Sequence, residues 1–148
     1  MRISIIGGGT VADDARETAA QTGRVVARRG HTVVCGGLGG VMEAACRGAK
    51  AAGGDTIGIL PTDRRADAND YVDTPIATGL GHGRNALVVM NGDAAVAVDG
   101  AGGTLSEIGF SLVFDRPIAG LGTHEVRGVE ACETPVEAVE YVESAVDG

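Results

Sequence analysis

Three times in this chain a short apolar run breaks into glycines that lead at once into helical periodicity. Ile3-Ser4-Ile5-Ile6 runs into Gly7-Gly8-Gly9, Val33-Val34-Cys35 into Gly36-Gly37-Leu38-Gly39-Gly40, and Ala94-Ala95-Val96-Ala97-Val98 into Asp99-Gly100-Ala101-Gly102-Gly103. Short apolar runs bounded by turn residues read as strands buried on both faces, and strands alternating with helices imply a parallel sheet with helices on each side. A parallel sheet with right-handed crossovers carries all three turns at the C-terminal ends of its strands, where such folds hold their ligands. The expected architecture is a single doubly wound α/β domain spanning residues 1–148, with a mainly parallel sheet of about five to seven strands flanked by helices.

The remaining elements follow in order. A helix is expected from about Asp13 to Arg29, a strand over His31 to Cys35, and a helix from Val41 to Ala52 ended by Gly53-Gly54. Thr56 to Leu60 reads as a strand stopped by Pro61, residues 62–73 as a polar surface connection, and Thr74 to Ala77 as a short strand. A helix from about Arg84 to Met90, a strand Pro117 to Gly120 and an edge strand near Val129 to Cys132 complete the alternation. Thr134-Pro135-Val136-Glu137 is a helix start, with a cap, a proline at the first helical position and a glutamate three residues on.

Charge and composition limit the function classes. A net charge of −8 argues against nonspecific binding to nucleic acid or to an anionic membrane, both of which need basic surface. Of the 12 basic residues only Lys50 is a lysine, a balance expected of adaptation to high salt or of a GC-rich genome. Cys35, Cys46 and Cys132 are unevenly spaced and form no Cys-x-x-Cys, so they read as small buried hydrophobes with no metal site. The chain opens directly into a strand and has no apolar run of membrane-spanning length, so the expectation is a soluble cytoplasmic protein.

The turns carry the chemistry. Gly7-Gly8-Gly9-Thr10-Val11-Ala12 has the G-x-G-x-x-A form of a Rossmann-like dinucleotide fingerprint, yet the strand that should end in a ribose-binding acid ends in Cys35-Gly36. A conventional NAD site is therefore not expected, while a phosphate-binding turn is. Gly102-Gly103-Thr104 opens a helix in which Leu105, Ile108 and Leu112 recur, and free N–H groups at such a helix start favour an anion. Thr104-Leu105-Ser106-Glu107 is equally well read as a capping box, in which Thr104 and Glu107 satisfy each other's backbone donors. Arg84 faces the unfavourable end of its helix dipole and needs compensation, either from a bound phosphate or from an ion pair with an aspartate such as Asp93. His82 lacks a metal-ligand partner and reads as a hydrogen-bonded loop histidine or a ligand contact. Neither a Walker A sequence nor a G-x-S-x-G nucleophile elbow is present.

Cys35-Gly36-Gly37-Leu38-Gly39-Gly40-Val41-Met42-Glu43-Ala44, taken with Gly58-Ile59-Leu60-Pro61, Arg84-Asn85 and Gly102-Gly103-Thr104-Leu105-Ser106-Glu107, resembles one superfamily over about residues 1 to 120. That Rossmann-like group includes the Lonely Guy cytokinin-activating phosphoribohydrolases, proteins once labelled possible lysine decarboxylases, and the molybdenum cofactor carrier proteins. The resemblance implies a homodimer and a phosphorylated, nucleotide-like ligand, with no further cofactor required. The N–H groups of Gly102, Gly103 and Thr104 are expected at the phosphate, with Gly7, Gly8, Gly9, Gly36, Gly37, Gly39 and Gly40 lining the cleft. Met42, Glu43, Asn85 and Asp99 complete the implied ligand contacts.

In the hydrolase branch an arginine and the last glutamate of a PGGxGTxEE motif carry catalysis, and these correspond to Arg84 and Glu107. This chain departs from that pattern. Arg-Lys-x-x-Met becomes Arg84-Asn85-Ala86-Leu87-Val88, the leading proline becomes Asp99, the second glycine Ala101, and the first glutamate Ser106. Losing a lysine and gaining an aspartate beside the phosphate turn is expected to weaken phosphate binding by about 1–3 kcal/mol for each change. The sequence thus ranks ligand binding or carriage of a nucleotide or molybdopterin-type molecule first. Phosphoribohydrolase activity on a nucleoside 5′-monophosphate ranks second, and a non-catalytic interaction domain third.

Overall fold

The computed structural model describes all of residues 1–148. Its strands are β1 (Arg2–Gly7), β2 (Thr32–Cys35), β3 (Thr56–Leu60), β4 (Thr74–Ala77), β5 (Ala94–Val98), β6 (Ile118–Leu121) and β7 (Val129–Ala131). They form one seven-stranded sheet in the order β4-β3-β2-β1-β5-β6-β7, and every pairing is parallel. The helices are α1 (Asp13–Arg28), α2 (Val41–Ala51), α3 (Asn85–Met90), α4 (Gly102–Val113) and α5 (Pro135–Asp147).

The chain winds outward from β1 to β4, then returns to lay β5 on the other side of β1. Right-handed crossovers in opposite directions put their helices on opposite faces. Accordingly α1, α2 and α5 pack together on one face, and α3 packs against α4 on the other. Because successive strand residues alternate, Ile3, Ile5, Val33, Cys35, Val96 and Val98 join the first layer, while Ile6, Val34, Ala95 and Ala97 join the second. The first layer holds 21 buried apolar residues and the second 8, so α3 and α4 cover their face more thinly. Ser4 ties that thinner face together by donating to the Val88 carbonyl at 2.8 Å.

One local reading is corrected. The capping box at Thr104 does not form: the cap position falls three residues earlier, at Ala101, and no side chain caps α4. Glycines 102 and 103 can enter the first turn without steric cost, which leaves Thr104 inside the helix, buried over Gly100, and Glu107 turned away from the helix start. Thr134 does cap α5 by accepting from the Glu137 N–H at 3.2 Å, while the Glu137 carboxylate reaches back to the N–H of Glu133 at 2.9 Å. The helix expected from about Arg84 to Met90 stands as α3, and a 3-10 turn at Gly81–Arg84 feeds it. Residues 62–73 form a connection with one short 3-10 turn at Arg65–Asp67.

Candidate functional site

β1 is the strand at which the winding reverses direction, and such a switch point opens a crevice at the carboxyl end of the sheet. A cavity of about 280 Å³ lies there. Gly7, Gly8 and Gly9 line it from the end of β1, Gly36 and Leu38 from the end of β2, and Met42 from α2. His82, Arg84 and Asn85 close one side, Ala101, Gly103, Thr104 and Glu107 another, and Ile5 and Ile6 contribute from below. The three glycine turns of the sequence therefore meet at one place.

Arg84 is only 8% exposed yet has no ion-pair partner. Its guanidinium is held by oxygen acceptors: Nε donates to the Ile59 carbonyl at 2.9 Å, Nη2 to the Gly36 carbonyl at 3.4 Å, and Nη1 to Asn85 Oδ1. The expected pair with an aspartate is replaced by this arrangement, and Asp93 instead accepts from the Arg2 N–H at 2.8 Å. A guanidinium carries five donors, so two remain for the cavity. Burial lowers the Arg84 pKa, opposed by the nearby Glu107 and Cys35.

Glu107 stands in the second turn of α4, 7% exposed; its backbone carbonyl accepts from Ser111 Oγ at 2.9 Å, while its carboxyl accepts no hydrogen bond from the protein. Burial pushes its carboxyl up to about 8, against the opposing pull of the Arg84 charge. A carboxyl titrating near neutrality in a cleft can donate or accept a proton under working conditions. The first turn of α4 adds the N–H groups of Gly102, Gly103 and Thr104, which precede the first intrahelical bond, Leu105 N–H to the Ala101 carbonyl at 3.0 Å. One buried cation, one nearly neutral carboxyl and a helix start make a site suited to an anionic group attached to a polar ring or sugar.

Gly36 explains why a glycine follows Cys35. A Cβ there would lie 2.7 Å from both Arg84 Nη2 and Met42 Sδ. Gly40 has φ +63° and packs its α-carbon against the carbonyls of Gly8 and Gly9, so the second glycine run also serves to seat one turn on another. The Val41 N–H donates to the Gly8 carbonyl at 3.0 Å in the same contact.

Several residues singled out in the sequence lie outside the cavity lining. Gly37, Gly39 and Gly40 lie behind Gly36 and Leu38, Glu43 faces solvent on α2, and Gly102 sits on the exposed rim of α4. Asp99, at φ +50°, lines a separate depression with Asp14, Thr18, Leu121, Cys132 and Glu133. Asp99 is thus absent from the lining of the β1 cavity. Leu38 and Ala101 line the cavity in addition to the expected contacts, and Leu38 is the one side chain within the second glycine run. His82 is exposed at the mouth, where its imidazole makes no hydrogen bond within the chain and its backbone carbonyl accepts from the Asn85 N–H. The three cysteines are free thiols, Cys35 and Cys46 with their sulfurs 3.5 Å apart in the core. No helix is long and apolar enough to cross a membrane.

The family model described as the SLOG cluster4 family matches residues 1–147. The chain belongs to the SLOG cluster4 family. Among relatives of this SLOG chain, an uncharacterised protein of Archaeoglobus fulgidus is 43% identical over 143 residues, 95% of this chain and 93% of the other. A cytokinin riboside 5′-monophosphate phosphoribohydrolase of Mycobacterium tuberculosis is 37% identical over 114 residues, 74% of this chain and 58% of that enzyme. Among solved structures, the molybdenum cofactor binding protein of Rippkaea orientalis superposes with a TM-score of 0.92 at 32% identity, covering 98% of this chain and 96% of that one. The molybdenum cofactor carrier protein of Chlamydomonas reinhardtii gives 0.89 at 31% identity, with 99% and 98% covered. The SLOG fold here is thus shared end to end with proteins that bind or carry a molybdenum cofactor, and over three quarters of its length or less with a phosphoribohydrolase.

Proposed function

We propose that this SLOG cluster4 chain binds a phosphorylated, pterin- or nucleotide-like molecule in the β1 cavity and carries it without turnover. The observation that supports this most is the convergence of Arg84, Glu107 and the free N–H groups of the α4 start on one cavity. The end-to-end likeness to molybdenum cofactor binding and carrier proteins agrees with it. A molybdopterin-type cargo fits what is present: a phosphate can take the α4 N–H groups and the spare Arg84 donors, while Leu38 and Met42 offer apolar contact to a ring. The cavity is small enough that part of such a ligand extends through the mouth past His82.

The runner-up reading is phosphoribohydrolysis. The partial likeness to a phosphoribohydrolase and the high pKa of Glu107 favour it specifically. Cleaving a base from a nucleoside 5′-monophosphate develops oxocarbenium character at the ribose, which the ionised form of Glu107 would stabilise while its protonated form could assist the departing base. Incubation with AMP and N6-substituted adenosine monophosphates, followed by chromatography for free base, separates the two readings.

We further propose that the protein acts as a homodimer. Helix α4 exposes Leu105 (46%) and Val113 (73%), and Met90, at the end of the adjoining α3, is 46% exposed. Exposed apolar side chains grouped on adjoining elements are the signature of an interaction surface. The acidic, lysine-poor composition and the free cysteines accord with a reducing cytoplasm of high salt, so binding is best measured at high as well as low ionic strength.

A further inference from the structure

Two of the positions at which this chain departs from the hydrolase pattern touch each other. Asn85 Nδ2 donates to Ser106 Oγ at 3.1 Å, and Ser106 Oγ donates onward to the Gly103 carbonyl at 2.6 Å. The first of these bonds fixes which way the Asn85 amide faces, because its nitrogen is committed to Ser106 and its oxygen must then turn to Arg84. Arg84 Nη1 donates to that oxygen. A chain of hydrogen bonds therefore runs from the first turn of α4, through Ser106 and Asn85 on two packed helices, to the guanidinium.

We propose that Asn85 and Ser106 are positioning residues whose hydrogen-bonded chain, anchored on Gly103, holds the Arg84 guanidinium off Glu107, so that both groups face the cavity unpaired. Neither acts on a ligand in this role. A buried guanidinium and a buried carboxylate lining one cavity attract each other strongly, and a flexible arginine would ordinarily close the gap. Here its Nε, Nη1 and Nη2 are each committed to an oxygen, and Asn85 supplies the only one of the three that is a side chain. The charged and titratable groups around Glu107 are few. Arg84 is the buried cation, Cys35 lies beneath Gly36, and His82 stands at the mouth. The elevated carboxyl of Glu107 is what an unpaired group so placed should show. This inference concerns the free protein, so its outcome is independent of whether the proposed ligand binds.

The test is a carbon-13 NMR titration of the Glu107 side-chain carboxyl in the ligand-free protein. In Asn85→Ala the released guanidinium swings to the carboxylate, and the Glu107 midpoint falls by about 1–2 units. Ser106→Ala, which removes only an exposed hydroxyl and leaves the fold intact, shifts it in the same direction by less, and Ser106→Thr restores the wild-type midpoint. The decisive arm repeats the Asn85 substitution on an Arg84→Met background. There the midpoint stays where Arg84→Met alone puts it, since no guanidinium is left to move. An equal fall on that background would mean that water entry lowers the midpoint, and an unshifted midpoint in both Asn85→Ala and Ser106→Ala would mean that Arg84 needs no holding. Either result overturns the proposal.

Discussion

Arg84 and Glu107 face one cavity from the start of α3 and the second turn of α4, each more than nine-tenths buried, and they do not pair. Opposite charges buried near each other without a bridge are costly, because the carboxylate loses its hydration and gains no donor in return. Such a cost is tolerated where a ligand supplies the missing partners.

The first prediction follows from the sign of that cost. Glu107 titrates at about 8 in the folded chain against an ordinary 4.5, so between those values the native state binds more protons than the unfolded one. Stability must then fall as pH rises through that window. Glu107→Gln removes the slope. It should melt close to wild type at pH 4 and be more stable by about 0.5–2 kcal/mol at pH 8 to 9, as replacements at strained functional sites often are. Thermal melts across pH check this, and a variant less stable than wild type at pH 9 would contradict it.

Gly36→Ala tests the close approach at the end of β2. The added methyl meets Arg84 Nη2 and Met42 Sδ at 2.7 Å, and Arg84 cannot retreat without losing its carbonyl acceptors. Stability should drop by about 1–3 kcal/mol, and calorimetric affinity for the ligand should fall at least about tenfold. Gly53→Ala, at a turn far from the cavity, serves as the comparison: it loses stability through its φ of +78° and keeps affinity.

Acid stability is expected to depend on a group far from the cavity. Glu143 accepts from Arg29 Nε and Nη2, both at 2.6 Å, and lies 2.8 Å from His31 Nε2. The Arg29 hydrogen bonds, helped by His31, hold its carboxyl down to about 2. A depressed carboxylate contributes stability above its unfolded pKa of 4.5 and loses it as pH falls toward 2. Glu143→Gln should therefore lower the melting temperature at pH 7, with the difference closing between pH 4.5 and 2.

Association can be tested on the exposed face of α4. Val113→Asp places a charge where an apolar side chain is 73% exposed, so it costs the monomer little while disrupting any contact made there. Sedimentation velocity should show the wild type as a dimer and the variant as a monomer with an unchanged melting profile. A variant that remains dimeric locates the interface elsewhere.

The alternation of apolar runs with helical segments was enough to read the fold, because parallel strands buried on both faces leave a distinct pattern and, being parallel, end on one shared edge. Of the candidate site, the sequence picked out several of the glycines that line the β1 cavity, together with Arg84 and Glu107. What the sequence did not disclose depends on geometry that one-dimensional spacing cannot carry. Asp99 lies two residues before Ala101, which lines the cavity, yet Asp99 has a left-handed backbone and lines another depression. Thr104 and Glu107 have capping-box spacing, but two flexible glycines let the helix begin before them. The contact between Asn85 and Ser106 joins residues 21 positions apart on two helices, a pairing visible only once α3 and α4 are packed.

The central claim, that the β1 cavity carries a phosphorylated ligand through Arg84, is tested most directly by titrating the purified protein with phosphorylated pterins and nucleoside monophosphates by calorimetry, in high and low salt, alongside Arg84→Ala and mass spectrometry of anything released on denaturation. The account predicts binding of at least one such ligand without turnover, weakened about tenfold or more in Arg84→Ala. An absence of heat across the whole panel with nothing released, or free base production that disappears in both Arg84→Ala and Glu107→Ala, would contradict it.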